Sequence, residues 1–173
     1  MGDDLDGLIS ELDSKDGIAR KQARESLALV GKPAAPRLRE LLNSPDKQTR
    51  WEAIKTLAAI ADPGSLAEFV ALLDDPSSDL RWLAATGLIR LGPRSVRPVL
   101  QVLSDPKAPR GRLEMGRRVL GKLSSDDQAL TGVVAPLMEV INGNDQAVIA
   151  ERAARALSDL DRAAGEPGAE PPA

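Results

Sequence analysis

Five times along this chain a small residue is followed four positions later by Leu and seven positions later by an aliphatic residue. The five sets are Ala23, Leu27, Val30; Ala53, Leu57, Ile60; Ala84, Leu88, Leu91; Gly116, Leu120, Leu123; and Ala153, Leu157, Leu160. Spacings of three and four put such side chains on one stripe of a helix. The Leu positions are 30, 31, 32 and 37 residues apart, and self-similarity at such a period belongs to stacked supersecondary units. A second apolar pattern alternates with the first, at Leu8 and Leu12, Leu38 and Leu42, Phe69 and Leu73, Val99 and Leu103, and Leu137 and Ile141. Each unit is therefore a pair of helices.

The turns inside the pairs are rich in Asp, Asn, Ser and Pro, as in Asn43-Ser44-Pro45-Asp46 and Asp74-Asp75-Pro76-Ser77. Such residues cap a helix N-terminus or stop the preceding helix. Gly31-Lys32-Pro33, Asp62-Pro63-Gly64 and Gly92-Pro93 punctuate the exits of the second helices. These signals predict helix pairs at about 3–30, 34–61, 65–92, 95–123 and 130–161. Pro98 is expected in a first helical turn. Pro136 requires either a later start or a kink in its helix. After the last pair, residues 163–173 are too poor in apolar groups to pack and are expected to be a disordered tail.

The chain has no Cys and no His, which removes disulfides, thiolate metal sites and the commonest general base. With no Gly-rich phosphate loop, nucleophile elbow or metal-ligand spacing either, no cofactor or metal is expected and the chain reads as a non-enzyme. Aromatic residues are limited to Phe69, Trp51 and Trp82, so the core must be aliphatic. No apolar run approaches a membrane span, and a cytoplasmic location is expected. The net charge of −3 hides a polarity along the chain: residues 90–122 hold the bases Arg90, Arg94, Arg97, Lys107, Arg110, Arg112, Arg117, Arg118 and Lys122 against Asp105 and Glu114. Both ends are acidic.

Residues 74–92, Asp-Asp-Pro-Ser-Ser-Asp-Leu-Arg-Trp-Leu-Ala-Ala-Thr-Gly-Leu-Ile-Arg-Leu-Gly, resemble the second-helix signature of HEAT repeats. They are most similar to the short bacterial form also seen in phycobilin lyase subunits. The signature arginine corresponds to Arg20, Arg50 and Arg81, is displaced by one at Arg112, and is replaced by Ala150 in the last repeat. The resemblance implies an all-α, right-handed α-α superhelix, a short HEAT-like (armadillo-like) solenoid of about five helix pairs over residues 1–162. It further implies a protein-binding scaffold, with second helices lining the concave face; some relatives bind nucleic acid or act as lyases.

On a helical wheel with Leu80, Ala84, Leu88 and Leu91 buried, Trp82 and Ile89 point away from the core. The equivalent column of the preceding repeat brings in Trp51, with Ile54 and Lys55 beside it, and the fourth repeat adds Arg117 and Arg118. Trp and Arg dominate binding hot spots because a rigid apolar body or a planar donor fork gains most from desolvation. Trp51, Ile54, Lys55, Trp82, Ile89, Arg117 and Arg118 are thus the candidate binding residues, and a protein or peptide, of acidic character, is the expected partner of a monomer. The competing arrangement has both Trp side chains folded sideways into the grooves between second helices.

The Arg-rich fourth repeat supports an alternative, nucleic-acid or polyanion binding, against which the acidic ends weigh. An accessory lyase-like subunit is a third reading, resting on the resemblance alone. Arg20, Arg50 and Arg81 read as structural, bonding between repeats to helix ends or acids. Residues 124–130 read as an insertion that lengthens one connection, and the adjacent carboxylates Asp126 and Asp127 in it as solvated or capping groups.

Overall fold

In a computed structural model of the chain the described residues are 2–125 and 127–165, with side chains from 4 to 163. The helix pairs of the periodic pattern form: α1 (Gly2–Glu11) with α2 (Gly17–Val30), α3 (Ala35–Leu41) with α4 (Lys47–Ile60), and α5 (Leu66–Ala71) with α6 (Ser78–Leu91). They continue as α7 (Val96–Leu103) with α8 (Arg110–Ser124), and α9 (Gln128–Val140) with α10 (Gln146–Gly165). The helices fall into two compact units, residues 1–92 and 93–173.

In the first unit each short first helix packs on its own long second helix, and α2, α4 and α6 lie side by side in that order. The repeat motif forms the contact surface, since Ala23, Leu27, Ala53, Leu57, Ala84 and Leu88 are all fully buried. A fully buried Leu contributes roughly 1.5–3 kcal/mol before conformational entropy is subtracted. Phe69 is also fully buried, and it fits because α6 carries Gly87 opposite it: a Cβ there would lie 2.6 Å from Phe69 Cζ.

The turns are fixed by charged groups. Asp16 and Asp46 cap α2 and α4, accepting hydrogen bonds from the backbone N–H of Ile18 (2.8 Å) and Thr49 (2.7 Å). The signature arginines act here as well. Arg20 Nη1 donates to Ser14 O at 2.7 Å, Arg50 Nη1 to Ser44 O at 2.8 Å, and Arg81 Nη1 to Asp75 O at 2.8 Å. Each reaches back six residues to clamp the turn of its own repeat, and of the three only Arg20 also pairs with the next repeat, through Glu52. The sequence pattern pointed to bonds between repeats; the clamp is mainly internal, each arginine reaching a half-buried carbonyl in the turn of its own pair.

The second unit is connected differently. Here α7 packs on α8, α8 on α9, and α10 on both α9 and α7, so the four helices close into a ring, whereas α2, α4 and α6 form an open layer. Its cause lies in residues 124–130. They do not lengthen a loop: α8 runs through Ser124 and α9 starts at Gln128, leaving a connection of residues 125–127. Without the Pro-containing 3-10 turn that follows α2 and α4, the chain reverses directly and lays α9 beside α8. Arg97 on α7 pairs with Asp161 on α10, its neighbour in the ring.

Gly116 lets α8 approach α7, since a Cβ there would meet Leu103 Cδ1 at 2.7 Å. The early start of α9 places Pro136 inside that helix, where it cannot donate to the Gly132 carbonyl; both residues are exposed, so water can take the vacant acceptor. Residues 163–165 are helical as the end of α10. The rest of the expected tail, 166–173, and Asp126 lie outside the described residues.

Candidate functional site

Because α4 lies between α2 and α6, it is buried on two sides and shows solvent only a narrow ridge of Lys47, Gln48, Trp51, Lys55 and Ala59. Trp51 is half-buried on this ridge. Lys55 Nζ sits 4.2 Å from its ring centroid and Arg24 Cζ, reaching over from α2, sits 5.4 Å away. Both distances are within cation–π range. On α6 the corresponding ridge carries Trp82, which is 47% exposed, and Thr86, which is half-buried, while Ile89, at the position of Ala58 in α4, is also half-buried.

Ile54 does not belong to this surface: it is fully buried. The helical wheel allowed for one buried stripe, and a middle helix of a layer has two. Its counterpart in the preceding repeat is Arg24, which is half-buried and does reach the surface.

A residue that periodicity did not single out organises the site. Glu52 follows Trp51 and is almost completely buried, at 1% exposure. Arg20 Nε donates to its Oε1 at 2.9 Å, Gln48 Nε2 to the same oxygen at 2.7 Å, and Arg24 Nη1 to Oε2. A buried carboxylate is tolerable only when paired and hydrogen-bonded in this way. The pairing also holds the Arg24 guanidinium over Trp51. The signal in the sequence was a charged residue at a position occupied by Leu83 one repeat later, opposite two arginines one repeat earlier.

Next to Trp51, Asp46, Lys47, Gln48 and Asp79 line a cavity of about 490 Å³. Lys47 Nζ bridges to Asp79 Oδ2 at 3.6 Å, joining α4 to α6 along its edge. The Asp46 carboxyl is held below its usual value of 3.8, first by the Thr49 backbone N–H and then by the Thr49 hydroxyl. That hydroxyl is 2.9 Å from both Asp46 Oδ2 and Asp13 Oδ1, and its one proton is shared between the turns of successive repeats.

Arg117 and Arg118 lie on α8 in the second unit, Arg117 exposed and Arg118 half-buried. Three bases of the stretch around them are paired locally: Arg97 with Asp161, Arg110 Nε at 3.6 Å from Glu114 Oε1, and Arg112 Nη1 at 3.3 Å from Asp105 Oδ2 and 3.1 Å from Val102 O. This pairing weakens the case for a phosphate-gripping surface, which needs cations directed outward.

A family model for HEAT repeats matches residues 5–89, all but the first four and last three residues of the first unit. Residues 5–89 are HEAT repeats. Among solved structures, the chain is similar to one in the complex of CpcE and CpcF of phycocyanin lyase from Nostoc sp. PCC7120, at 22% identity and a TM-score of 0.62. That match covers 88% of this chain and 96% of the other, and at this identity it shows a shared HEAT-like fold. The designed armadillo repeat protein YIII(Dq)4CqI matches at 17% identity and a TM-score of 0.46, over 90% of this chain and 82% of that one. No curated protein matches the sequence. Among the described residues no helix is long and apolar enough to cross a membrane.

Proposed function

We propose that the HEAT unit is a non-catalytic protein-interaction scaffold. It takes an extended acidic segment of a partner protein across α4 and α6, with Trp82 as the apolar anchor and Lys55 and Arg24 meeting carboxylates beside Trp51. The observation that carries this reading is the 47% exposure of Trp82 on a ridge that the repeat could have filled with a small polar residue. A large aromatic left in water gives up burial energy that a partner can recover. The cations around Trp51 supply the sign preference, and the cavity beside it can receive a side chain.

The test uses peptides selected from a displayed random library on the whole chain, with binding followed by tryptophan fluorescence. The expected winners are rich in Asp and Glu around an apolar residue. Trp82→Ala should weaken them about tenfold or more and Lys55→Glu should reverse the acidic preference, both in a chain that circular dichroism shows to be folded at the assay temperature. Peptides that bind wild type and Trp82→Ala equally would remove the reading.

A further inference from the structure

Among the described residues nothing covers the stacking face of α2. In α6 the residues directed at the preceding helix are Asp79, Leu83 and Arg90: Asp79 pairs with Lys47, and Arg90 Nη1 donates to Ala58 O at 3.0 Å. In α4 the same register centres on the buried Glu52, bound to the arginines of α2, with the exposed Gln48 and Ala59 at its margins. Carried back one more repeat, the register falls on Ile18, Gln22 and Leu29. Ile18 is 68% exposed and Leu29 is 89% exposed, the reverse of what their chemistry favours.

With Glu25, these residues form a stripe whose order reads the same in both directions: aliphatic, polar, polar, aliphatic at 18, 22, 25 and 29. At 100° per residue all four fall within about 60° of arc. A second copy laid antiparallel, related by a two-fold axis, brings every position i opposite a position 47 − i. Ile18 then meets Leu29 of the second copy, and Gln22 meets Glu25 of the second copy, each contact occurring twice. Lys21, on the flank of the stripe and already 3.8 Å from Glu25 of its own helix, also comes beside the other Glu25. The four charges alternate in sign.

We propose that α2 is the interface of a two-fold homodimer, in which each copy covers the open stacking face of the other. An isologous contact requires a patch complementary to itself, and this stripe meets that requirement in both its apolar and its charged positions. One helix face offers less than the roughly 1,600 Å² of a standard interface, so the dimer is expected to dissociate on dilution through the range of about 10–100 μM.

Sedimentation velocity of the whole chain over a hundredfold concentration range tests this. The expected result is a reversible monomer–dimer equilibrium that Leu29→Glu weakens about tenfold or more, with the melting temperature of the dilute monomer unchanged because the site is exposed. Lys21→Glu and Glu25→Lys should each weaken self-association, while an equimolar mixture of the two variants should dimerise, since like charges then face opposite ones. A chain that stays monomeric at the highest concentration, an assembly that grows beyond two copies, or a dimer indifferent to Leu29→Glu would each overturn the proposal.

Discussion

The joint between α2 and α4 and the joint between α4 and α6 use the same register of the repeat with opposite chemistry. At the first, Glu52 is enclosed by Arg20, Arg24 and Gln48, and the Thr49 hydroxyl bridges to Asp13 of the repeat before. At the second, Leu83 takes the place of Glu52, with polar contacts only at its margins, where Lys47 pairs with Asp79 and Arg90 donates to Ala58 O. The helix-pair backbone accepts either solution. What differs is specificity: an apolar joint stacks with any apolar neighbour, whereas Glu52 can be buried only against a helix that presents two arginines. The polar joint therefore fixes which repeat lies next to which, and it places Arg24 over Trp51 as a by-product.

The strongest challenge to this comparison is to transplant the polar solution. Leu83→Glu puts a carboxylate against α4, where Arg50 stands in the place of Arg20 but the buried, uncharged Ile54 replaces Arg24, and where Asp79 on α6 takes the place of Gln48, the donor to Glu52. An unpaired buried charge together with the lost Leu packing should cost roughly 4–5 kcal/mol, read as the midpoint shift in urea unfolding. If Leu83→Glu is tolerated, the arginine pair is not what makes Glu52 acceptable.

Removing the charge where it does belong should cost somewhat less. Glu52→Ala leaves Arg20 and Arg24 without their acid in a part-buried setting and should destabilise by roughly 3 kcal/mol. Trp51 fluorescence should change as well, once Arg24 is no longer held over the ring. Glu52→Leu, which copies the second joint, should recover part of the stability without restoring the Trp51 signal. Full recovery of both would mean that Arg24 is positioned by something other than the carboxylate.

This contrast also marks how far the sequence could be read. The helix pairs were legible because their signal is periodic: a small residue, Leu and an aliphatic at fixed spacing leave little freedom, and the Asp and Pro turns bound them. Glu52 was not legible, because a single charged residue at a core position reads as an error until Arg20 and Arg24 are seen across the joint. Ile54 was misplaced for a related reason, since one helix read alone shows one buried stripe while its position within a layer decides whether there is a second. Trp82 was placed on the surface correctly because its repeat supplied the stripe from which the wheel was drawn. The closed ring of α7 to α10 was hidden in seven residues that are as compatible with a loop as with two helix ends.

The packing of α5 on α6, inside the third helix pair, has its own point of sensitivity, smaller than either charge. Gly87 makes room for Phe69, and Gly87→Ala would set a Cβ 2.6–2.8 Å from three atoms of that ring. Overpacking of this kind typically costs 1–3 kcal/mol, against which Ala gains about 1 kcal/mol in helix propensity. A net loss of about 1 kcal/mol is expected in thermal or urea unfolding. Because Ser26 and Thr56 hold this position in the first two repeats, Ser26→Ala should be close to neutral, and an equal loss there would show that the steric argument is not specific to Phe69.

The smallest effect concerns acid. The folded-state carboxyl of Asp46 is held below its usual 3.8 by the Thr49 N–H and hydroxyl. Its contribution is therefore fully present above the unfolded value and fades as pH falls through 3.8 toward the folded value. Since Thr49 also reaches Asp13, acid should loosen the first joint before the second. Lowering the pH from 5 to 3 should reduce the wild-type melting temperature, and Asp46→Asn, which still offers a capping oxygen but does not titrate there, should lose less over the same interval. Amide exchange would locate the effect: under acid, protection should fall first at the N-terminal turn of α4. Equal loss at the N-terminus of α6, where Ser77 precedes the helix and makes no side-chain cap bond, would mean that general charge repulsion, and not Asp46, governs the acid response.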